Sequence, residues 1–207
     1  MRARRRSVSL AAFVVVRDRK HWIFDLDGTL TKPVHDFEEI RRMLGIPAGR
    51  GILEWLASLS ERERVPLVEA LDRHEYDLAK RAEAAEGAAA VLHALSRTGC
   101  HLGIVTRNNA RNVERTLRAA GLEEFFAPQS IMTRDNARPK PDPDGIYQLL
   151  DLWRAATATA VMVGNHRHDL AAGRAAGVST VHVDTEGVFE WADLADVRVL
   201  SLLELLT

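Results

Sequence analysis

Disulfide chemistry is closed to this chain on its own, because Cys100 is the only cysteine among 207 residues. The composition fits a reducing cytoplasm, which is the expected location. No activating base stands out for Cys100, so it reads as core or surface filler rather than as a nucleophile. A surplus of one charge is also lacking: 28 Lys and Arg face 29 Asp and Glu, a formal net charge of −1. Neither nucleic acid nor a membrane surface would feel an overall electrostatic pull, so any substrate preference must be local. With 46% hydrophobic and 28% charged residues, the chain can bury one substantial core, or a core plus a small accessory domain, and neither a membrane span nor wholesale disorder fits. Internal repeats are missing, and the alanine-rich stretch from Ala82 to Ala90 is ordinary helix composition.

The N-terminus has the outline of an export signal, with Arg2, Arg4, Arg5 and Arg6 ahead of the apolar run Leu10 to Val16. The charged stretch Arg17-Asp18-Arg19-Lys20 then stands where a small-residue cleavage site would be needed. Residues 1–20 therefore read as a basic leader that ends in a strand or helix against the core.

From His21 onward, short apolar runs alternate with helical patterns, the signature of strand-helix-strand units and a parallel sheet. The runs are His21 to Phe24, Leu102 to Val105, Ala160 to Val163 and Thr180 to Val183, with Val197 to Leu200 as a further edge strand before a last short helix. The first two are separated by far more chain than one crossover needs. The surplus carries three apolar stripes at helical spacing: Phe37, Ile40 and Leu44; Ile52, Trp55, Leu56 and Leu59; Leu67, Leu71 and Leu78. This predicts a helical bundle over residues 32–86, inserted into an α/β core made of residues 21–31 and 87–207. It leaves from the loop after the first strand, at the carboxyl edge where α/β domains place ligands, and can cover a site there.

Asp25 and Asp27 stand two apart at the end of the first strand, where alternation points both side chains to one face. Unpaired carboxylates beside an apolar run are costly unless a cation or a reaction uses them. Gly28 allows a tight turn and Thr29 offers a hydroxyl. The segment Asp25-Leu26-Asp27-Gly28-Thr29-Leu30 resembles the first motif of the haloacid dehalogenase superfamily. The resemblance implies a Rossmann-like three-layer α/β/α core with a small helical cap. It makes Asp25 the nucleophile that forms an aspartyl-phosphate, and Asp27 the acid that protonates the leaving group and later activates water.

Three more segments resemble the remaining motifs in order. Thr106-Arg107-Asn108 follows the second strand, where a hydroxyl and turn amides could hold phosphoryl oxygens, although a Thr at a strand end also serves as a helix cap. Lys140, between Pro139 and Pro141, is presented from a stiff loop; alone it would read as an exposed lysine, and in register with Asp25 it reads as the cation that neutralises nucleophile and phosphate. Gly164-Asn165-His166-Arg167-His168-Asp169 matches the fourth motif in spacing, but Asn165 stands where the family has an acid. The implied Mg²⁺ set is the Asp25 carboxylate, the Asp27 backbone carbonyl, Asn165 or Asp169 directly or through water, and substrate phosphate. An amide in that set predicts weaker metal binding. His166 and His168 could suit a transition metal, but nothing nearby completes a tetrahedral set and they read as solvent-facing.

The resemblance spans roughly Trp22 to Leu202 and is nearest to the phosphoglycolate-phosphatase-like branch, subfamily IA. It implies a Mg²⁺-dependent phosphatase acting on a small phosphorylated metabolite. Asp27 separates the chain from the dehalogenases, which lack that second acid. The alternatives are a phosphomutase of the same superfamily, a phosphonate hydrolase using Lys32 or Lys80, and a binding or scaffold homologue weakened by Asn165. Cap arginines such as Arg41, Arg42, Arg62, Arg64 and Arg73 could meet an anionic substrate, but helical charges are ordinarily the solvated face.

Overall fold

The computed structural model describes residues 16–34 and 36–206, so most of the expected leader, residues 1–15, lies outside the described residues. Six strands form one parallel sheet: β1 (His21–Phe24), β2 (His101–Val105), β3 (Ile131–Met132), β4 (Ala160–Gly164), β5 (Ser179–Val183) and β6 (Val197–Val199), in the order β3-β2-β1-β4-β5-β6. The alternation within β1 sorts its side chains between two cores. Trp22 and Phe24 join Leu102, Ile104, Val161 and Val163 under helices α4 (Ala88–Arg97) and α5 (Ala110–Ala120). Ile23 faces the other way and packs with Met162 under α6 (Asp144–Trp153) and α7 (Arg167–Ala176). The result is the expected three-layer α/β/α arrangement. Among the described residues, no helix is long and apolar enough to cross a membrane.

Between β1 and α4 lie three helices, α1 (Phe37–Leu44), α2 (Ile52–Ala57) and α3 (Glu61–Ala79). Asp36 starts α1 by accepting from the amides of Glu38 and Glu39, and Ser60 with Glu63 forms a reciprocal cap on α3. Ile40, Leu44, Ile46, Leu56 and Leu71 make a small core of their own. Phe37 departs from its predicted stripe: it is 54% exposed. The entry and exit of this insertion run side by side, with Lys32 N–H donating to Glu83 O and Ala85 N–H to Leu30 O.

The chain winds outward from β1 on both sides, β2 and β3 one way and β4 to β6 the other, which opens a crevice at the carboxyl ends of β1, β2 and β4. Phe24 is in register with both Ile104 and Val163, so the residues just beyond these strands converge.

Close packing of α7 on the sheet depends on Gly173, where an added Cβ would sit 2.6 Å from the Thr180 Cγ2 methyl and 3.0 Å from Met162 Cβ. Gly173→Ala is expected to cost about 1–3 kcal/mol through overpacking. Thr180→Ser removes the obstructing methyl and keeps the hydroxyl that donates to Leu194 O. Urea unfolding should show the double variant recovering part of the loss; strict additivity of the two changes would refute close packing at Gly173 as the cause.

Candidate active site

Asp25 follows β1 directly, its N–H donating to Val163 O at 2.9 Å, and its carboxylate is almost fully buried. Lys140 reaches it from the loop before α6. Its Nζ lies 2.7 Å from Asp25 Oδ1 and 2.7 Å from Asp169 Oδ1, and it donates to Val105 O at 2.5 Å. With 1% of its surface exposed, Lys140 is not the exposed loop lysine its sequence context suggests in isolation. Burial would lower its pKa, but Asp169 and Asp25 outweigh burial and raise it, so the ammonium stays charged. All three of its donors are engaged within the protein.

The second oxygen of Asp169 accepts from the His166 amide at 2.9 Å, closing a reciprocal cap at the start of α7. Asp169 also packs over Gly164, where any Cβ would fall 2.3 Å from its own Cβ. Burial and then Asp169 push the Asp25 carboxyl up to about 7, against the lowering effect of Lys140. The site thus carries more buried negative charge than one lysine balances.

Asn165 lies against the β1 turn. Its Oδ1 accepts from the Thr29 hydroxyl at 3.1 Å. Gly28, at φ +87°, makes room for it: an added Cβ there would stand 2.6 Å from the Asn165 amide nitrogen. The donor chemistry of this corner suits a hard divalent cation, since the Asp25 carboxylate, the Asp27 backbone carbonyl and Asn165 Oδ1 are all oxygens beside uncompensated charge. No group of three or more His, Cys, Asp or Glu side chains among the described residues is arranged to hold a metal. Asn165 brings no charge to this corner, and Asp169 already accepts from Lys140 through Oδ1 and from the His166 amide through Oδ2.

Thr106 is buried, and its hydroxyl oxygen accepts from the Asn108 amide at 3.1 Å. It does not cap a helix; Asn109 does, accepting from Asn112 N–H. Asn108 donates from Nδ2 to Asp27 Oδ2 at 3.3 Å, so it orients the second acid. Arg107 donates to Lys140 O at 2.7 Å, to His168 Nδ1 at 3.0 Å and to Glu54 of α2 at 2.7 Å. His168 is therefore half-buried and engaged, contrary to a solvent-facing reading, and burial with Arg107 holds its pKa down to about 4.

A second tie between core and insertion has no local signal in the sequence. Arg134, beyond β3, binds Asp72 at 2.5 Å and Glu75 at 3.0 Å, both on α3, while Asn109 also donates to Asp72. Together these elements enclose a cavity of about 220 Å³ lined by Asp25, Asp27, Thr106, Lys140, Asn165 and Asp169 below, and by side chains of α1, α2 and α3 above. Arg41 is one of those and only 21% of its side chain is exposed, unlike Arg42, Arg62, Arg64 and Arg73, which stay on the solvated surface. Lys32 and Lys80 are exposed, paired with Glu83 and Asp77, and do not line the cavity, which leaves a Schiff-base route without its amine.

The sequence profile of the haloacid dehalogenase-like hydrolases matches residues 32–183, which takes in Thr106, Lys140, Asn165 and Asp169 and starts just past Asp27. An uncharacterized hydrolase of Saccharomyces cerevisiae is 28% identical over 191 residues, 89% of this chain and 88% of its own. Pyrophosphatase PpaX of Listeria welshimeri is 30% identical over 181 residues, 78% and 81% of the two chains. Among solved structures, a hydrolase from Pseudomonas syringae superposes with a TM-score of 0.73 at 24% identity, covering 91% of this chain and 98% of its own. A Deinococcus radiodurans family hydrolase with bound phosphate and sodium gives 0.66 at 22% identity, covering 89% and 92%.

Proposed function

The chain belongs to the haloacid dehalogenase-like hydrolases, and from that premise we propose that it is a Mg²⁺-dependent phosphatase that hydrolyses a small phosphomonoester through an aspartyl-phosphate on Asp25. The observation that carries this reading is the buried Asp25–Lys140–Asp169 triad at the end of the central strand. Lys140 holds Oδ1 of Asp25 and so leaves Oδ2 as the attacking oxygen.

Asp25 Oδ2 attacks phosphorus. The ester P–O bond breaks, its electron pair stays on the leaving oxygen, and that oxygen takes a proton from Asp27, which Asn108 orients. Water then attacks the phosphorus of the acyl phosphate and gives a proton to Asp27. The bond to Asp25 breaks, which restores both carboxyl groups and releases inorganic phosphate. Thr106 and the amides of its turn orient the phosphoryl oxygens, while the charge of Lys140 lowers the repulsion between nucleophile and dianion. Asp25, the Asp27 carbonyl and Asn165 would hold Mg²⁺, with Asp169 behind them; when bound, the ion neutralises charge on the phosphoryl oxygens. The helical insertion acts as a cap: Arg107–Glu54 and Arg134–Asp72 tie it down over the cavity and keep bulk water out.

The reading is tested by phosphate release from a panel of monoesters with Mg²⁺ and with EDTA. Release that needs Mg²⁺ is expected, and no release from any ester would overturn it. The site carries two further expected outcomes. Protons and Mg²⁺ compete for Asp25, whose pKa lies near 7, so the apparent Mg²⁺ affinity should fall about tenfold per pH unit below that value. Metal titrations at pH 5.5, 6.5 and 7.5 measure this, and a flat profile would remove Asp25 from the metal set. Asn165→Asp supplies the missing negative charge and can still accept from Thr29; Mg²⁺ affinity should rise about tenfold at pH 7.5, by calorimetry.

A further inference from the structure

Four cationic and four acidic side chains line the cavity, and each cation already has an acidic partner. Lys140 is shared by Asp25 and Asp169; Arg107 is bound to Glu54, 2.7 Å away. Arg134 lies 2.5 Å from Asp72 and 3.0 Å from Glu75. Arg41 pairs with Glu38 at 2.6 Å and spends its Nε on Arg50 O. None of these cations is left over for a second anion, and the Asp25 corner, with more acid than Lys140 balances, would accept the transferred phosphoryl group only with a bound Mg²⁺.

The rest of the cap wall is hydrocarbon. Phe37, Ile40, Ile52, Leu53 and Leu71 face the cavity from α1, α2 and α3, and of these only Ile40 and Leu71 are fully buried. Apolar surface left half-exposed inside a cavity gains free energy when a ligand covers it. A second anionic group on the substrate would lie against this hydrocarbon, or beside Glu75, and would give up its hydration without gaining a cation. A volume of about 220 Å³ equals roughly seven water molecules at their share of the liquid, enough for a phosphoryl group and a leaving group of a few carbons.

We propose that the cap selects phosphomonoesters of small, uncharged, largely apolar alcohols and discriminates against substrates that carry a second anionic group. This rests on the phosphatase reading. It separates the chain from a pyrophosphatase, whose leaving group is itself a phosphate.

A matched pair of esters tests it: n-butyl phosphate and its terminal carboxylate analogue 4-phosphonooxybutanoate, with inorganic pyrophosphate as a third substrate. With Mg²⁺ at pH 7.5, kcat/KM for the butyl ester should exceed both others by at least about thirtyfold. Leu53→Ala removes half-buried wall and should narrow the butyl preference about fivefold. Equal or better turnover of the carboxylate ester or of pyrophosphate would overturn the selectivity and leave the phosphatase reading standing. An unchanged preference in Leu53→Ala would likewise take the selection away from this wall. Failure to hydrolyse all three would overturn the selectivity, and the phosphatase reading would fall with it only if the wider panel of monoesters released no phosphate either.

Discussion

Asp25→Asn is expected to abolish phosphate release and, in the same protein, to raise stability above pH 7. The loss should be at least about 10³-fold, because an amide oxygen cannot form the acyl phosphate and no second carboxylate shares the position of Asp25 at the end of β1. The gain in stability has its source in the same environment. Burial and Asp169 lift the Asp25 pKa from 3.8 to about 7. A carboxyl raised in the folded state contributes stability that is complete below its unfolded pKa and is lost as pH climbs through the folded one. The wild-type protein therefore loses stability between about pH 4 and pH 7, and the asparagine variant does not share that loss. Asparagine can still accept from Lys140 through Oδ1, so the hydrogen bond survives while the charge conflict with Asp169 goes. A gain of about 1–3 kcal/mol above pH 7 is reasonable for a shift of this size, which is several degrees in Tm for a chain of this length. Thermal melts in EDTA at pH 4, 6 and 8 decide it: the two proteins should lie closest at pH 4 and furthest apart at pH 8. In Mg²⁺ the order should reverse, since the metal stabilises only the form that binds it. A variant that is less stable at pH 8 in EDTA would mean that Asp25 is held by more than its lysine.

Such a conflict between activity and stability is what makes this kind of site visible in a sequence. Two carboxylates after an apolar strand have no structural purpose, and Asp25 and Asp27 stand out for that reason. The sheet is legible through period: Trp22 and Phe24 against Ile23 is the pattern that builds two cores.

Other features leave no local trace in the chain. Strand β3 has two residues, Ile131 and Met132, too few to carry a period. Phe37 sits on an apolar stripe, but one turn of α1 faces the cavity instead of the small core, and periodicity does not say which neighbour a stripe will meet. The ties between insertion and core join Arg134 to residues 62 and 59 positions earlier, and a pairing across such a distance has no local signature. Lys140 is ambiguous in the sequence for a related reason. Lysine is almost never buried without a partner, and its partners come from elsewhere in the chain, Asp25 from the end of β1 and Asp169 from the first turn of α7.

Lys140→Met puts that partnership to the test, and it should be the most damaging single change in the molecule. Methionine approximates the length and volume of the lysine but supplies no charge and no donors. Two buried carboxylates would then face each other, and the Val105 carbonyl would lose the donor it has at 2.5 Å. Removing one partner from a buried ion pair costs about 3–5 kcal/mol, and turnover should vanish with it. The pH dependence identifies the cause. Without the ammonium the carboxylates bind protons more readily in the folded state than in the unfolded one, so the variant's deficit should be largest above pH 7 and shrink as pH falls toward 5. A cavity or a distorted loop would instead cost the same at every pH. Adding Asp169→Asn should remove the part of the pH dependence that comes from repulsion between the two carboxylates and leave the part due to burial of Asp25, and the asparagine side chain can still accept from the His166 amide at the start of α7. If the deficit of Lys140→Met were equal at pH 5.5 and pH 8, the lysine would be a packing element, and the charge balance at Asp25 would have no support from its nearest neighbour.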